Sequence, residues 1–409
     1  MNNKRLHTEL NVIDDITTSV LKVYQKVNPS YVDNFQSSEY KKKYIKRWID
    51  LIVKKLLVPP LCFENAKILD AGCGTGEKSL VYAILGGTVL GIDVNQKAIL
   101  KALENTKKNK TNKILEFRTG NLLNLDINEE FDIIISDGVI HHTAKPKTAF
   151  RNIACRLKPG GIIIIGLPEP CAFFQRRLQK YFINRIADKH DEEQKVKIAS
   201  ILYKKQLLRA SSVSGRSVES TIYDHFINPQ IELIPLDEVE LWMNENNIHM
   251  DCTWPRTFLP LTADSQYHPE FESNHITVKK WRNLTRIFWL LKEKYDREMF
   301  ESWEKCNVNI DIFVNNISSI CSETSIDIHR IRKLIDSNER VNTFPLTGYN
   351  IQKDMKIFFE ELISIDTDIS SKKEIGMEPK EIAESITFNR LFKGFSGVGM
   401  VYYRGTKKY

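Results

Sequence analysis

The chain has 409 residues, of which 42% are hydrophobic and 27% charged, a composition typical of a globular protein with two or three domains. Its purest apolar run covers residues 162–165, far short of the ~20 residues that cross a bilayer, so we expect no membrane contact. The first residues turn polar where a signal peptide would become apolar. The seven cysteines form no CxxC pair, which argues against disulfides or a metal site and favours a reducing cytoplasm.

The charge balance is mildly basic, with 59 Lys and Arg against 52 Asp and Glu and a net charge of +7. Such a balance permits a nucleic-acid partner without requiring one. Basic clusters occur at residues 41–43, 107–110, 176–180 and 204–205. Acidic residues are interleaved with these clusters, so a solvated surface is the simpler interpretation.

Residues 66–166 alternate short apolar runs with helical patterns, which is typical of βαβ units and a parallel sheet. Strands are predicted at 66–70, 89–93, 114–119, 131–136 and 162–166. Helices are predicted at 77–85, 96–109 and 146–157. The last of these strands is apolar throughout, as a strand covered on both faces should be.

The pattern changes after this region. Residues 176–209 have a basic, helical pattern that ends in the small polar run 211–217, which predicts a mobile joint. A sixth strand is predicted at Ile248–Trp254. Aromatic and aliphatic residues then recur at helical spacing across 275–392, and a strand-like pattern returns at 397–404.

The loop Ile68-Leu-Asp-Ala-Gly-Cys-Gly-Thr-Gly76 joins a predicted strand to a predicted helix. Its glycines allow the backbone to turn tightly and to approach a ligand without a Cβ collision. Asp93 ends the next predicted strand, where a carboxylate can accept both ribose hydroxyls of an adenosine. Together these features predict a nucleoside ligand at the carboxyl ends of the strands.

The spacing of the glycines indicates which nucleoside. The loop reads G-x-G-x-G, without the endings of the dinucleotide fingerprint or of a phosphate-binding loop. It resembles motif I, D/E-x-G-x-G-x-G, of the class I S-adenosylmethionine-dependent methyltransferases. Gly120-Asn121, the stretch 131–142 and the Arg-Leu-Lys-Pro-Gly-Gly run at 156–161 follow in the family's order, so the resemblance covers about 100 residues.

The resemblance implies S-adenosylmethionine as the cofactor. In the family, the glycine loop packs against the methionine part and the acid after the second strand holds the ribose. Residues after the third strand flank the adenine, and those after the fourth form the floor beneath the sulfonium. The corresponding residues are Asp70, Gly72, Cys73, Gly74, Gly76, Asp93, Val94, Asn121, Leu122, Ser136, Asp137 and Gly138. Asn121 replaces the usual Asp, although its side-chain carbonyl can still accept a bond from the adenine amino group.

A closer resemblance is to the bacterial type 11-like methyltransferases, in which a Gly-Val-Ile/Leu-His-His-Thr run precedes a Lys-Pro-Gly-Gly strand. Methyl transfer from a sulfonium is an in-line displacement, so the protein chiefly aligns the reactants and excludes water. A hydroxyl acceptor usually needs a base, and His141 or His142 is a candidate because imidazole titrates near neutral pH. The alternative is that both histidines only shape the loop.

Two further groups are candidates for ligand contact. Tyr223, Asp224 and His225 lie on a segment expected to cover the mouth of the site, where they contact the acceptor or simply pack as a lid. The family commonly folds an N-terminal helix over the cofactor, where an aromatic face attracts a sulfonium, although plain packing explains the pattern equally well. The aromatic residues in question are Tyr31, Phe35, Tyr40, Tyr44 and Trp48.

The expected fold class is α/β, with a Rossmann-like sheet that is mostly parallel and has an antiparallel last strand. We expect an N-terminal helical lid at 1–60 and a cofactor-binding core at 61–267 with a lid segment at 170–230. A mostly helical insertion follows at 268–394, and a terminal strand at 395–409 returns to the core sheet. The alternative is an independent C-terminal domain on a linker.

The leading functional hypothesis is a methyltransferase that acts on an oxygen or nitrogen of a small molecule. A methyltransferase acting on RNA or protein is the alternative, since the basic clusters can follow a phosphate backbone. The Asn/Asp-Pro-Pro-Tyr/Phe signature of base methylation is absent from the sequence. A binding-only protein is disfavoured because the cofactor motifs are intact, and a homo-oligomer remains open.

Overall fold

The computed structural model describes residues 14–27, 31–32, 35, 37–108, 114–257, 282, 285–286, 319–320, 326–331, 333, 351–387 and 399–409, without the side chains of 351–356. Seven strands in these residues form one sheet. They are β1 (Lys67–Ala71), β2 (Thr88–Asp93), β3 (Leu115–Thr119), β4 (Phe131–Asp137), β5 (Leu157–Pro168), β6 (Ile248–Trp254) and β7 (Met400–Lys407).

The strand order is β3-β2-β1-β4-β5-β7-β6. The first five strands pair in parallel, whereas β7 lies between β5 and β6 and is antiparallel to both. This arrangement confirms the expected mostly parallel sheet with an antiparallel last strand. β7 pairs with both β5 and β6, so the end of the chain completes the sheet although residues 255–399 separate β7 from β6 in sequence.

Helices cover both faces of the sheet. The α-helices with described boundaries are α1 (Asp15–Val27), α2 (Ser38–Ile49), α3 (Glu77–Ile84), α4 (Gln96–Lys108), α5 (Pro146–Ala154), α6 (Pro170–Ile186), α7 (Glu192–Leu202), α8 (Lys204–Ser214), α9 (Val218–Ile222), α10 (Leu236–Glu245), α11 (Ile351–Glu374) and α12 (Pro379–Ile386). Neighbouring strand residues point to opposite faces. Ile133 therefore packs with α2 and α3, whereas Ile134 packs with α5 and α10. None of the described helices is long and apolar enough to cross a membrane.

A separate hydrophobic cluster joins the helices after β5 to the helices before β7. Phe174 and Phe182 of α6 pack with Phe359 and Leu362 of α11, and residues of α7 and α12 complete the cluster. Asp366 of α11 also accepts hydrogen bonds from two α6 side chains, at 2.6 and 2.7 Å. The described part of the C-terminal helical segment is thus packed against the predicted lid segment.

Three local predictions differ from the structure. The helix predicted to reach residue 157 ends at Ala154, because Leu157 already pairs with Phe131 at the start of β5. The sheet register then shifts over residues 158–161, which bulge out before Ile162 resumes pairing. The predicted joint at 211–217 is instead the end of α8, which Gly215 closes in the left-handed conformation with a φ of 74°. Most of the predicted insertion, and hence its boundaries, lies outside the described residues.

Candidate functional site

A cavity of about 500 Å³ opens where the parallel strands end. The loops after β1, β2, β3 and β4 form its floor, and residues of α1, α2 and α6 form its walls. Most of the predicted site residues line it, namely Gly72, Cys73, Gly74, Asp93, Val94, Asn121, Leu122, Asp137, Gly138, His141, His142, Asp224 and His225. The carboxyl ends of parallel strands are where α/β sheets bind ligands.

The glycine loop after β1 needs its glycines for two reasons. Gly72, Gly74 and Gly76 have φ values of 86°, 54° and 82°, in the region that side chains rarely adopt. A Cβ on Gly72 would also collide with the side chain of Val139 in the loop after β4. The two loops are therefore in close contact, and backbone rather than side chain faces the cavity here.

Asp93, at the end of β2, is held by the loops around it. Its carboxylate accepts the N–H of Gly74 at 2.9 Å and the N–H of Asn95 at 2.8 Å. Burial raises the pKa of this carboxyl, and the two backbone N–H groups partly oppose that rise. The carboxylate thus has a fixed orientation at the cavity, with lone pairs left for a ligand's hydroxyls.

Four predicted site residues do not line the cavity. Asp70 is buried behind the glycine loop and accepts a hydrogen bond from Ser79 Oγ at 2.6 Å, while burial raises its pKa to about 6. Ser136 Oγ donates to the Ala71 carbonyl at 2.9 Å, which ties β4 to the end of β1. Gly76 packs against α4, and the Tyr223 hydroxyl lies 3.5 Å from Glu192. These residues shape the walls from outside the cavity.

Asn121 follows β3 and begins a short 3₁₀ turn over Leu122–Asn124. Its side-chain carbonyl accepts the N–H of Leu123 at 2.9 Å, which fixes the direction of the amide group. A carbonyl oxygen has two lone pairs, so one remains for a second donor. The position can therefore recognise an amino group while it caps the turn.

The two histidines lie in a 3₁₀ turn after β4, with ring centroids 4.0 Å apart. His142 Nδ1 lies 2.6 Å from the Gln230 carbonyl oxygen, which can only accept, so Nδ1 carries the proton. Burial lowers the pKa of His142, and the ring is therefore neutral with a free lone pair on Nε2. His141 is only 3% exposed, and burial lowers its pKa well below the ordinary value.

Asp224 is the centre of a charged group on the lid side of the cavity. Arg216 Nη1 donates to its carboxylate at 2.9 Å, and His225 Nε2 lies 3.8 Å away. Burial alone would raise the pKa of Asp224, but the charge of Arg216 holds it well below its usual range. Burial raises the pKa of the Tyr24 hydroxyl on α1 well above its usual value, and the negative charge of Asp224 adds to that rise, so α1 faces the lid segment at this point.

Two of the five N-terminal aromatic residues reach the cavity. Tyr44 and Trp48, on successive turns of α2, line it. Lys78 Nζ lies 4.7 Å from the centre of the Trp48 ring and 2.5 Å from Asp137. Tyr40 instead donates to the Val213 carbonyl at 3.0 Å, while Phe35 packs on Tyr44 and Tyr31 lies under Lys101.

Sequence reasoning missed several residues that line the cavity. Tyr24 lies on α1, before the N-terminal aromatic residues that were candidates for cofactor contact. Arg216 lies in the segment 211–217, for which the sequence predicted a mobile joint. Lys78 belongs to the first turn of α3, next to the glycine loop. Only Lys78 had a local signal, its position directly after the loop, whereas the other two reach the cavity through tertiary packing.

Comparison with known proteins agrees with this geometry. A family model described as a methyltransferase domain matches residues 63–226. A ubiquinone biosynthesis O-methyltransferase of Bartonella tribocorum is 35% identical over 123 residues, which are 30% of this chain and 49% of that protein. The mitochondrial protein of the same name from Dictyostelium discoideum is 24% identical over 255 residues, covering 59% of this chain and 69% of its own.

Among solved structures, magnesium protoporphyrin IX methyltransferase from Synechocystis with bound SAM is 14% identical, with 59% of this chain and 91% of that chain covered and a TM-score of 0.37. The present chain spans less than half the length of the Bartonella relative. The matched residues 63–226 include the glycine loop, Asp93 and both histidines. Since the family model, the motifs and the sheet all agree, residues 63–226 carry a methyltransferase domain of the class I S-adenosylmethionine-dependent type.

Proposed function

We propose that this protein transfers the methyl group of S-adenosylmethionine to an oxygen or nitrogen of a small molecule. The observation that carries the proposal is that Asp93 and the neutral ring of His142 face one cavity. In the reaction a lone pair of the acceptor forms the new bond to the methyl carbon as the carbon–sulfur bond breaks. The sulfur keeps that electron pair, and S-adenosylhomocysteine leaves.

The cofactor is proposed to lie along the loops at the strand ends. Asp93 accepts the ribose hydroxyls with the lone pairs that Gly74 and Asn95 leave free. Asn121 accepts the adenine amino group, and the backbone of the glycine loop faces the methionine part. The sulfonium then lies over Gly138, within the aromatic wall of the cavity, where cation–π attraction favours it.

His142 is the base that we assign, in preference to His141. Its Nδ1 donates to the Gln230 carbonyl, so Nε2 can take the proton that a hydroxyl acceptor loses. The bond to Gln230 also fixes the orientation of the ring. His141 is more deeply buried, and its Nδ1 has no hydrogen-bond partner among the described residues, which favours a role in shaping the loop.

A small-molecule acceptor is favoured over a macromolecule for two reasons. The cavity is walled by α1, α2 and the lid segment, and such walls exclude a folded RNA or protein. Exposed lysines of two basic clusters are paired with carboxylates on their own helices, Lys43 with Glu39 and Lys108 with Glu104, both at 2.6 Å. The relatives from Bartonella and Dictyostelium are named for ubiquinone biosynthesis, which supports the same class of acceptor.

The test uses S-adenosylmethionine with a labelled methyl group and a host extract that is divided into metabolite, RNA and protein fractions. We expect label in the metabolite fraction with the wild-type protein and none with Asp93→Ala. Label in the RNA or protein fraction alone would reject the small-molecule acceptor. We also propose a reducing, cytoplasmic compartment, a proposal that the unpaired state of Cys62, Cys73, Cys155, Cys171 and Cys252 supports.

A further inference from the structure

The charged residues that line the cavity are nearly all paired. Lys78 pairs with Asp137 and Arg216 with Asp224, while the Asp93 carboxylate is held by backbone N–H groups. Arg176 on α6 is different. Among the described residues, its guanidinium has neither a hydrogen bond nor a carboxylate within salt-bridge distance, although it lines the same cavity.

The Arg176 guanidinium is surrounded by aromatic rings and by the charged pair Arg216 and Asp224. Its guanidinium lies over the Phe173 ring, 5.3 Å from the ring centre, and Arg216 adds a like charge nearby. Burial lowers the pKa of Arg176 to about 10, and the charge of Asp224, which lies beyond salt-bridge distance, only partly opposes this effect. A partly buried guanidinium with no carboxylate in contact is costly, and a ligand anion would relieve that cost.

The position of Arg176 separates it from the proposed cofactor site. The glycine loop follows β1 and Asp93 ends β2, whereas Arg176 follows β5 on the lid segment. The ionisable groups that act most strongly on it are Asp224, Arg216 and Tyr402, all on the lid or on β7. Because the proposed cofactor pose places the methionine carboxylate at the glycine loop, an anion at Arg176 would belong to the acceptor and not to the cofactor.

We propose that Arg176 binds an anionic group of the methyl acceptor, so that the substrates are small acids with an apolar or aromatic body. The proposal rests on the proposed function, because it assigns the second ligand of the same cavity. Phe173 and Tyr402 provide the apolar walls beside the guanidinium. A guanidinium holds a carboxylate or a phosphate through two parallel bonds, which fixes the acceptor's orientation relative to His142.

The test measures ligand binding by calorimetry on protein saturated with S-adenosylhomocysteine. The probes are 4-hydroxybenzoate, its neutral analogue 4-hydroxybenzamide, and inorganic phosphate. The variants are Arg176→Met, Arg176→Lys, and the control Arg151→Met at an exposed position of α5. We expect at least one anion to bind the wild type and the control at least about tenfold more tightly than Arg176→Met, with partial recovery in Arg176→Lys.

The amide is expected to bind wild type and Arg176→Met equally. A preference for benzoate identifies a carboxylate acceptor, and a preference for phosphate identifies a phosphorylated one. Equal binding of both anions to wild type and Arg176→Met, or no binding of either, would overturn the proposal. So would weaker binding of S-adenosylhomocysteine itself to Arg176→Met, since Arg176 would then hold the cofactor. If the wild type fails to bind S-adenosylhomocysteine, the proposed function fails instead.

Discussion

Replacing Asp93 by Asn tests the cofactor site without knowledge of the acceptor. The carboxylate now accepts the N–H groups of Gly74 and Asn95 and has lone pairs left for two ribose hydroxyls. Asn has only one acceptor oxygen in its side chain, and its amino group can only donate. In Asp93→Asn that amino group faces either a backbone N–H or a ribose hydroxyl, and the hydrogen bond accepted there by the carboxylate is lost. A hydrogen bond to a charged group contributes about 1.5–3 kcal/mol. Loss of the charge and of one acceptor should therefore weaken the binding free energy of S-adenosylhomocysteine by about 3 kcal/mol, which raises its Kd roughly 100-fold.

The assay is calorimetric titration with S-adenosylhomocysteine, with unfolding temperature measured in parallel to verify that the variant folds. Asp126→Asn is the matched control, because Asp126 is an exposed carboxylate away from the cavity. Gly74→Val adds a second test, since a side chain at a φ of 54° strains the loop and fills the ligand's place. Wild-type affinity in both Asp93→Asn and Gly74→Val would refute the assignment of this cavity to the cofactor.

Three other predictions concern the base and the stability of the fold. His142→Gln should bind S-adenosylhomocysteine normally and form labelled product about 10²-fold or more slowly. In the wild type, turnover should fall only as the pH drops through the lowered pKa of His142. Normal turnover in the variant would show that this residue has a structural role. Arg286 lies 2.6 Å from the buried carboxylate of Glu169. Arg286→Met leaves that carboxylate without its charged partner and should lower the free energy of unfolding in urea by about 3–5 kcal/mol. A loss below about 1 kcal/mol would contradict this. Burial lowers the pKa of His141, His142 and His225, so below about pH 6.5 these histidines take up protons in the unfolded chain but stay neutral in the folded protein. The free energy of unfolding should therefore fall below about pH 6.5 by up to about 1.4 kcal/mol per pH unit for each histidine. An unfolding free energy from urea titrations that does not change between pH 7 and 5 would contradict this.

The parts of the fold that sequence predicted well are those with local patterns. The boundaries of β6 match the predicted strand at Ile248–Trp254, and β1 to β4 differ from their predictions by a residue or two, whereas β5 and β7 differ by more. β5 is longer because Leu157 pairs across a bulge, and a pairing partner cannot be read from a local pattern. The glycine loop was recognisable because both its spacing and its position after a strand are local properties.

The lid side of the cavity was much less predictable. Asp224 was a candidate, but its partners Arg216 and Tyr24 lie 8 and 200 residues away in the chain and meet it only after α1, α8 and α9 have packed. In the sequence, Arg176 appeared as one member of a basic cluster. Its distinctive property is the absence of a described partner inside a cavity, which depends on the whole arrangement of α6 against β5 and β7.

A crystal structure of the complex with S-adenosylhomocysteine would test the central claim most directly. The measured quantities are the distances from the ribose hydroxyls to the Asp93 carboxylate and from the sulfur to His142. We predict both hydroxyls within hydrogen-bond distance of Asp93. The sulfur should face the part of the cavity between His142 and Arg176. A ligand bound outside this cavity, or one whose ribose does not contact Asp93, would contradict the account.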